Sequence, residues 1–310
     1  MKTLHDGVEE YVNMRRALGF KLDRPGRLLF DFVSFMQEED ASHITTELAL
    51  RWAKKPKSCQ PSWWSQRLSC VRGFAQYWSA IDTSTEIPPL DLLPSQYKRR
   101  IPYIYTNREI KKLLGAAKDL PLKSGIRRWT YYTLFGLLVV TGLRISEAIS
   151  LKCEDVDLEE SILTIQESKF KKSRLVPIHK STCNKLKQYA HKREHFYNRY
   201  SAPYFFISDS GRPLTCNIVQ WTFVKISHQI GLRGPSDSFG PRIHDMRHRF
   251  AVTTLLNWYR SGLNVERHIP TLSTYLGHVN VCDTYWYLSA VPELLSLAGN
   301  RLEKRWEALI

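Results

Sequence analysis

A proline-rich stretch near residue 90 constrains the fold of this 310-residue chain more than any other feature. Residues 82–102 hold four prolines and show no sustained hydrophobic period. Proline lacks a backbone N–H and fixes φ, so such a stretch interrupts regular secondary structure. We therefore predict a helical domain at residues 1–83, a linker at 84–104 and a second domain at 105–310, each domain long enough to bury its own core.

The two predicted domains differ in their hydrophobic periods. In the first, apolar residues recur at helical spacing over 4–18, 27–36, 45–53 and 61–80. In the second, the same spacing predicts helices at 106–117, 128–140, 143–151, 181–197, 217–230, 243–259, 271–276 and 292–309. Two short apolar runs, 162–165 and 175–178, flank a basic tip and predict a β-hairpin. The expected fold class is mainly α with a small β-sheet or hairpin in the second domain, a helical domain followed by an α+β domain.

The chain carries a strong positive charge. It has 45 Lys and Arg residues against 30 Asp and Glu, a net charge of +15 and a pI near 9.6. Residues 1–100 hold 15 of the basic and 12 of the acidic residues, so most of the excess lies in the second domain. This charge indicates a polyanionic partner, either nucleic acid or an anionic membrane surface. The longest apolar run, 134–143, is too short to cross a bilayer, which favours nucleic acid.

Several classes of chemistry lack their sequence signatures. There is no GxxxxGK[ST] or GxGxxG motif, so we expect no nucleotide cofactor. His191 and His195 share a predicted helix face without a third ligand nearby, so we predict no metal. The six cysteines are scattered, which is typical of reduced thiols in a cytoplasmic protein. The first residues lack the apolar segment of a signal peptide.

Two basic segments of the second domain are suited to phosphate chemistry. Arg144 and Glu147 stand three residues apart on a predicted helix. They form either a surface ion pair worth ~0.2–0.5 kcal/mol or a carboxylate-held arginine whose planar fork clamps a phosphate. The predicted hairpin tip carries Lys169, Lys171, Lys172 and Arg174. These residues make non-specific backbone contacts, or Lys169 acts as a general acid that protonates a leaving oxygen.

A later helix adds a second pair of phosphate-binding side chains. His244 and Arg247 stand three residues apart, so a helix presents both to one point, where a phosphate is the natural occupant. The same spacing also occurs by chance in many proteins. His248 and Arg249 follow directly, and we expect them to face elsewhere on the helix in structural or backbone-contacting roles.

The segment around residues 277–287 supplies a turn histidine and two tyrosines. Gly277 is predicted to end a helix, which leaves His278 either as a loop histidine or as a ring aimed at a site. Tyr285 and Tyr287 are both candidate nucleophiles. A tyrosine hydroxyl with a pKa of ~10 needs a nearby base and cationic groups to attack phosphorus. Residues at i and i+2 on a helix point about 200° apart, so only one of the two tyrosines can face the site.

In their order along the chain, these residues resemble the tyrosine recombinase (phage integrase) family. The resemblance covers about residues 105–300 and rests on Thr141–Glu147, Lys169 before Arg174–Ile178, His244–His248, Leu276–His278 and Tyr287. In that family the nucleophile follows the histidine of the Leu-Gly-His motif by nine residues, which favours Tyr287 over Tyr285. The first domain is similar to the family's core-binding domain in its helical pattern only.

The resemblance implies a mechanism. Tyr287 attacks a DNA phosphate, forms a 3′-phosphotyrosine and releases a 5′-hydroxyl. Arg144 and Arg247, with His278 as a further donor, stabilise the charge on the non-bridging oxygens. The resemblance also assigns roles to the remaining residues. Lys169 protonates the leaving oxygen, and His244 assists proton transfer at the tyrosine. Glu147 orients Arg144 or His244.

The resemblance also implies an assembly and a role. Four protomers assemble on two double-stranded DNA sites, with or without partner recombinases, and helix 292–309 docks on its own domain or on a neighbour. The covalent bond stores the energy for religation, so neither ATP nor a metal is required. Integration or excision of a mobile element is the expected role.

Basic residues outside the catalytic set are expected to contact the DNA backbone. They are Lys171, Lys172, Arg174, Arg67, Arg72, Arg99 and Arg100. Two alternatives remain open. A non-catalytic DNA-binding protein would have no reason to keep Tyr287 in register with His278. A type IB topoisomerase shares the strand chemistry without exchanging strands, and the short linker and small first domain disfavour it.

Overall fold

The chain forms two compact units. The computed structural model describes residues 2–94, 101–121, 125–166, 173–197, 203–237, 239–289 and 291–307. Unit 1 is Met1–Arg100 and unit 2 is Ile101–Ile310. The division between them falls inside the stretch predicted as a linker, 84–104.

Unit 1 is helical in its described residues. Its helices are α1 (Leu4–Ala17), α2 (Asp23–Glu38), α3 (Thr46–Lys54) and α4 (Pro61–Trp78). Polar caps set the starts of two of them, because the side chains of Thr3 and Thr45 accept backbone N–H groups that have no partner inside the helix. The inward faces bury a core that includes Phe32, Trp52 and Phe74.

The first part of the predicted linker belongs to unit 1. Thr85 and Leu93 are buried, and the Glu86 backbone N–H donates to the Ile44 carbonyl oxygen over 2.8 Å. The Glu86 carboxylate accepts the Thr46 backbone N–H over 2.7 Å. Residues near the start of the predicted linker therefore pack on and bond to unit 1. Its prolines interrupt helix formation but leave neighbouring backbone and side-chain groups able to bond to unit 1.

Unit 2 is mainly helical with one small sheet. Its helices are α5 (Asn107–Lys118), α6 (Arg127–Thr141), α7 (Ile145–Ser150), α8 (Lys180–Phe196), α9 (Cys216–Gln229), α10 (Asp245–Arg260), α11 (Val265–Leu276), α12 (Cys282–Tyr285) and α13 (Pro292–Glu307). Helix α6, predicted at 128–140, is strongly apolar and lies in the core. Helix α11 starts earlier than predicted, because Asn264 caps it and the helix continues through Pro270.

The sheet contains three antiparallel strands in the order β1 (Val156–Asp157), β2 (Ile162–Ile165) and β3 (Arg174–Pro177). Strands β2 and β3 pair with Ile165 opposite Arg174, which confirms the predicted strand pair. Strand β1, only two residues long, was not predicted. The basic tip between β2 and β3, with Lys169, lies outside the described residues.

Two apolar cores meet along α10. The first turn of α10 adds Met246 to the core around α6, and its later turns add Val252 and Leu255 to a second core with α11 and α13. The polar residues at the start of α10 are therefore held between two packed layers. No helix in the described parts of the chain combines the length and apolar character that crossing a membrane requires.

Candidate active site

The candidate site lies where α6 ends, α7 and α10 begin, and α11 turns toward α12. Two glycines allow the tight turns there. Gly142 has φ +63°, and a Cβ at this position would lie 2.7 Å from Phe250 Cδ1. Gly277 has φ +71°, and a Cβ there would lie 2.6 Å from Arg174 Nη1. Only glycine adopts this backbone without strain and leaves room for these close neighbours.

Arg144 is held by a carboxylate and a main-chain carbonyl. It precedes α7, and its Nη1 donates to Glu147 Oε1 over 2.6 Å while its Nη2 donates to the Gly277 carbonyl oxygen over 2.9 Å. The second Glu147 oxygen accepts the Arg144 backbone N–H over 2.9 Å, which caps the helix. The guanidinium is thus aimed from two sides and keeps part of its surface open to solvent.

Glu147 also binds a second arginine, Arg174. The two guanidinium nitrogens of Arg174 lie 3.1 and 2.9 Å from the carboxylate oxygens, and its Nε donates to the Tyr275 carbonyl oxygen over 2.9 Å. Burial acts to raise the pKa of Glu147, but the hydrogen bonds and charges of Arg174 and Arg144 together lower that pKa below its ordinary value. Glu147 is therefore an ionised group that joins α7, β3 and the turn after α11.

Arg247 is buried and held by neutral groups. Its side chain is 2% exposed, and its guanidinium donates to the carbonyl oxygens of Gly142 over 2.8 Å and Leu276 over 2.7 Å. Burial lowers the pKa of Arg247 to about 10, while Tyr287 acts in the opposite direction. The guanidinium is therefore still charged at neutral pH. The Arg247 cation and the Tyr287 side chain are therefore close enough to interact.

His244 stands at the N-terminus of α10, beside Arg247. Although His244 is an exposed residue, desolvation by the neighbouring protein groups, followed by the Arg247 charge, lowers the pKa of His244 to about 4. The ring is neutral at pH 7 and able to accept a proton. Its ring centroid lies 4.9 Å from that of His248, one helical turn further on.

Tyr287 is the buried one of the two tyrosines. It lies in a short 3-10 helix, Trp286–Ser289, and is 2% exposed, whereas Tyr285 is 46% exposed. Its ring centroid lies 6.0 Å from that of His278 and 5.5 Å from that of His248. The nucleophile candidate selected by motif spacing therefore sits among the histidines and next to Arg247.

His248 was predicted to face away from the site, and this is wrong. It is buried and contacts His244, Trp286 and Tyr287. Residues four apart on a helix differ by only about 40° in direction, so His248 follows His244 on the same face. Arg249 does take a structural role, because its Nε donates to the Tyr105 carbonyl oxygen over 2.9 Å.

Two of the predicted DNA contacts are buried by structural partners. Arg174 is 9% exposed in its side chain and is bound to Glu147, so it braces the site instead of offering its charge to DNA. Arg67 is also buried, with its guanidinium 3.7 Å from the Trp52 ring centroid and 3.1 Å from the Trp52 carbonyl oxygen. Burial and these partners disfavour both predicted DNA contacts, because the sequence shows charge but not the partners that fold against it.

The remaining basic residues are placed differently. Arg72 is half-buried on α4. The proposed catalytic residue Lys169 lies outside the described residues, and so do the other predicted contacts, Lys171, Lys172, Arg99 and Arg100. The structure brings five of the six proposed catalytic residues into one region of unit 2: Arg144, His244, Arg247, His278 and Tyr287.

Residues 104–293 match the family model described as the Phage integrase family. This match covers more than half of the chain, so the protein belongs to the phage integrase family and is a tyrosine-type site-specific recombinase or integrase that acts in DNA recombination. The chain is 51% identical over 311 residues to a putative integrase/recombinase, y4rB, of Sinorhizobium fredii (strain NBRC 101917 / NGR234), with 99% of each chain covered.

Two further proteins are similar to this chain. Over 222 residues the chain is 29% identical to the tyrosine recombinase XerC of Chlamydia caviae (strain ATCC VR-813 / DSM 19441 / 03DC25 / GPIC), which covers 72% of this chain and 65% of that protein. The solved Tn1549 transposon integrase in complex with transposon right end DNA superposes with a TM-score of 0.68, covering 98% of this chain and 99% of that chain. At 15% identity this likeness shows a shared fold.

Proposed function

We propose that the protein breaks and rejoins DNA strands through a covalent 3′-phosphotyrosine bond at Tyr287. The observation that carries the proposal is the placement of this buried hydroxyl-bearing ring against His278 and His248, beside the Arg247 cation. A tyrosine is a weak nucleophile until a base and nearby positive charge favour its ionised form. These surroundings supply both.

In the proposed reaction the Tyr287 oxygen attacks a DNA phosphate and the 5′-oxygen leaves. Arg144 and Arg247 donate to the non-bridging oxygens as negative charge develops there, and His278 adds a third donor. His244, neutral at pH 7, assists removal of the tyrosine proton. The second proton transfer, to the leaving oxygen, is assigned to Lys169.

The proposed arginine roles are supported by how the two side chains are held. Each guanidinium bonds to one carbonyl of the same turn, Arg144 to Gly277 and Arg247 to Leu276. Two cations oriented in advance toward one place lower the barrier without having to reorganise during the reaction. Glu147 takes a positioning role for Arg144, since its carboxylate bonds both the backbone and the guanidinium of that residue.

We further propose that the protein integrates and excises a mobile element in the cytoplasm. This proposal is supported by the 51% identical relative, whose name is putative integrase/recombinase, and by the shared fold with a transposon integrase solved on transposon end DNA. The net charge of +15 supports the binding of double-stranded DNA. A helical unit 1 serves as the core-binding domain, with Arg72 as one backbone contact.

Assembly into a tetramer on paired DNA sites is part of the same proposal. Helix α13 supports it, because Leu294 is buried against unit 2 while Leu295, Leu302 and Trp306 are exposed. An amphipathic helix with apolar side chains left at the surface is suited to contact a second protomer.

The test of the proposed chemistry is a nicked suicide substrate, carrying a site first selected from a randomised duplex pool by binding to the protein. We expect a covalent protein–DNA adduct that is absent with Tyr287→Phe and retained with Tyr285→Phe. The reverse pattern would overturn the choice of nucleophile. Supercoil relaxation without recombinant product from paired sites would identify a topoisomerase, and binding without adduct would identify a non-catalytic protein.

A further inference from the structure

Thr284 contacts His278 from the interior of unit 2. Its side chain is fully buried, and its Oγ1 lies 2.7 Å from His278 Nδ1. It belongs to α12, and its backbone N–H donates to the Val281 carbonyl oxygen over 2.8 Å. The helix thus fixes the threonine, and the threonine holds one nitrogen of the histidine ring.

The Thr284 hydroxyl differs from three other helical threonine hydroxyls in this unit. Thr222, Thr254 and Thr274 each donate to the carbonyl oxygen four residues earlier, over 2.9, 2.9 and 3.0 Å. Among the described residues, the partner of the Thr284 hydroxyl is His278 Nδ1. The direction of this one hydrogen bond therefore decides whether the hydroxyl proton is satisfied.

We propose that Thr284 is a positioning residue that donates its hydroxyl proton to His278 Nδ1 and so places the ring proton on Nε2. A neutral imidazole has one donor nitrogen and one acceptor nitrogen. If Nδ1 were the donor, the buried Thr284 proton would lack an acceptor among the described residues, which is unfavourable. If the hydroxyl donates, both groups are satisfied. The inference rests on the proposed function for its consequence, since a neutral His278 must carry a proton on Nε2 to donate to a phosphate from that nitrogen.

The same bond ties the nucleophile to the turn after α11. Thr284 lies three residues before Tyr287, whose ring stacks on His278 at an interplanar angle of 22°. The cations around this turn are Arg144 at the Gly277 carbonyl, Arg174 beside Gly277, and Arg247 at the Leu276 carbonyl. A histidine that is neutral and fixed in one tautomer can donate to phosphate without adding a further charge to this group.

The first test reads the tautomer without using activity. Full-length protein labelled with ¹⁵N-histidine is observed by two-bond ¹⁵N–¹H correlation at neutral pH without DNA, and His278→Gln identifies the signal. We expect the proton on Nε2 in the wild type and in Thr284→Ser, and a mixture of tautomers in Thr284→Val. A wild-type proton on Nδ1, or a Thr284→Val spectrum identical to the wild type, would overturn the proposal.

The second test measures adduct formation on the nicked substrate. We expect Thr284→Val, which keeps the side-chain shape, to cleave about 10-fold more slowly, the value of one hydrogen bond of ordinary strength. Thr284→Ser should stay within about twofold of the wild type, and DNA affinity should be unchanged in both. The Thr284→Val defect should shrink at a pH acid enough to protonate both imidazole nitrogens, because Nε2 then donates regardless of Thr284.

The outcomes of the two tests are separable. Equal defects in Thr284→Ser and Thr284→Val, or a defect that is constant with pH, would make Thr284 a packing residue only. If Thr284→Val does not fold, the wild-type and Thr284→Ser spectra still decide the tautomer. Absence of any adduct from the wild type would overturn the proposed function, while the tautomer would remain measurable.

Discussion

The two arginines of the site contact the same turn but are held by different chemistry. Arg144, 24% exposed in its side chain, is paired with the Glu147 carboxylate, which also binds Arg174. Arg247, 2% exposed, is held by two main-chain carbonyl oxygens, and among the described residues no carboxylate forms an ion pair with it. Arg144 belongs to an ion network in which the Glu147 carboxylate offsets the positive charge. Arg247 is a buried cation that is bound by neutral carbonyl groups.

Because of this difference, we expect the two arginines to contribute to the reaction in different ways. A carboxylate shared between two arginines fixes geometry but offsets much of their charge. Carbonyl dipoles hold Arg247 without cancelling its charge, and burial weakens the screening of that charge by water. We therefore expect Arg247 to contribute most to stabilising the transition state, and the Glu147 network to contribute mainly by orienting Arg144.

The largest effect is expected from Arg247→Ala. Cleavage of the nicked substrate should fall by a factor on the order of 10²–10³. The carbonyls of Gly142 and Leu276 lose their donor, so the free energy of unfolding should fall by about 1–3 kcal/mol. Adduct kinetics and urea unfolding measure the two effects. Arg260→Ala, which removes an exposed ion pair on the same helix, should change neither much. Cleavage at the wild-type rate by a folded Arg247→Ala protein would contradict the comparison.

A smaller effect is expected from Glu147→Gln, which keeps the shape of the side chain and removes its charge. Cleavage should fall roughly 10- to 100-fold, the range found when a group that orients a functional ligand is lost. The free energy of unfolding at pH 7 should fall by about 1–3 kcal/mol. Because the folded-state pKa of Glu147 is lowered, its stabilisation is present above the ordinary glutamate range and lost as pH falls through the folded-state value.

The pH dependence of unfolding supplies the check on Glu147. The stability difference between the wild type and Glu147→Gln should be largest near pH 7 and shrink below about pH 4.3, the ordinary glutamate pKa. Glu154→Gln, at an exposed ion pair with Lys152, serves as the matched control and should have little effect. If the difference in the free energy of unfolding stays constant down to acid pH, the charge of Glu147 does not stabilise its network with Arg144 and Arg174.

Gly277→Ala should disturb the positions of Arg144 and Arg247 together. Its positive φ costs an alanine roughly 1–2 kcal/mol, and the new Cβ would meet Arg174, so either that side chain or the turn that binds Arg144 and Arg247 must shift. We expect adduct formation to slow about 10-fold, equivalent to about 1.4 kcal/mol of barrier. Gly231→Ala has a similar φ of +74° with no atom within 4 Å of the added Cβ, so it isolates the backbone strain. Equal effects of the two variants on cleavage would argue against the turn as the shared support.

The smallest expected effect concerns His244. Its pKa is lowered to about 4 in the folded state, so the unfolded chain binds more protons between about pH 4 and 6.5. The associated stability is present above about pH 6.5 and is lost as pH falls toward 4. Solvent reaches the ring, so the change should be small. Urea unfolding at pH 7 and 5 should show a weaker pH dependence for His244→Gln than for the wild type or the surface variant His191→Gln.

The sequence predicted much of the fold because local rules set many element boundaries. The predicted helix at 106–117 is α5, which starts at a capping box of Thr106 and Glu109, and the apolar run at 128–140 is the buried helix α6. Gly142 and Gly277 end their helices at positive φ, as glycine at such breaks favours. The short strand β1 and the folded part of the predicted linker were missed, because both depend on bonds to distant segments.

The roles of charged residues were less predictable. Arg174 was assigned to DNA because a basic hairpin tip is its only visible context in the sequence. Its true partner, Glu147, lies 27 residues earlier and reaches it only after β3 pairs with β2. The involvement of His248 was missed although its i+4 relation to His244 gave a usable signal. Nothing in the sequence distinguished Arg67, buried on Trp52, from a surface arginine.

The sequence by itself determined which reactive side chains this protein has and in which order they occur, and that order was enough to identify the family. Tertiary structure decided how each one is held. Arg144 meets Gly277 across 133 residues and Arg247 meets Gly142 across 105. Contacts over such separations depend on how helices and strands pack, which no local pattern encodes. For that reason only the folded chain distinguishes Arg174, which is bound to Glu147, from the two arginines to which the proposed reaction assigns the phosphate.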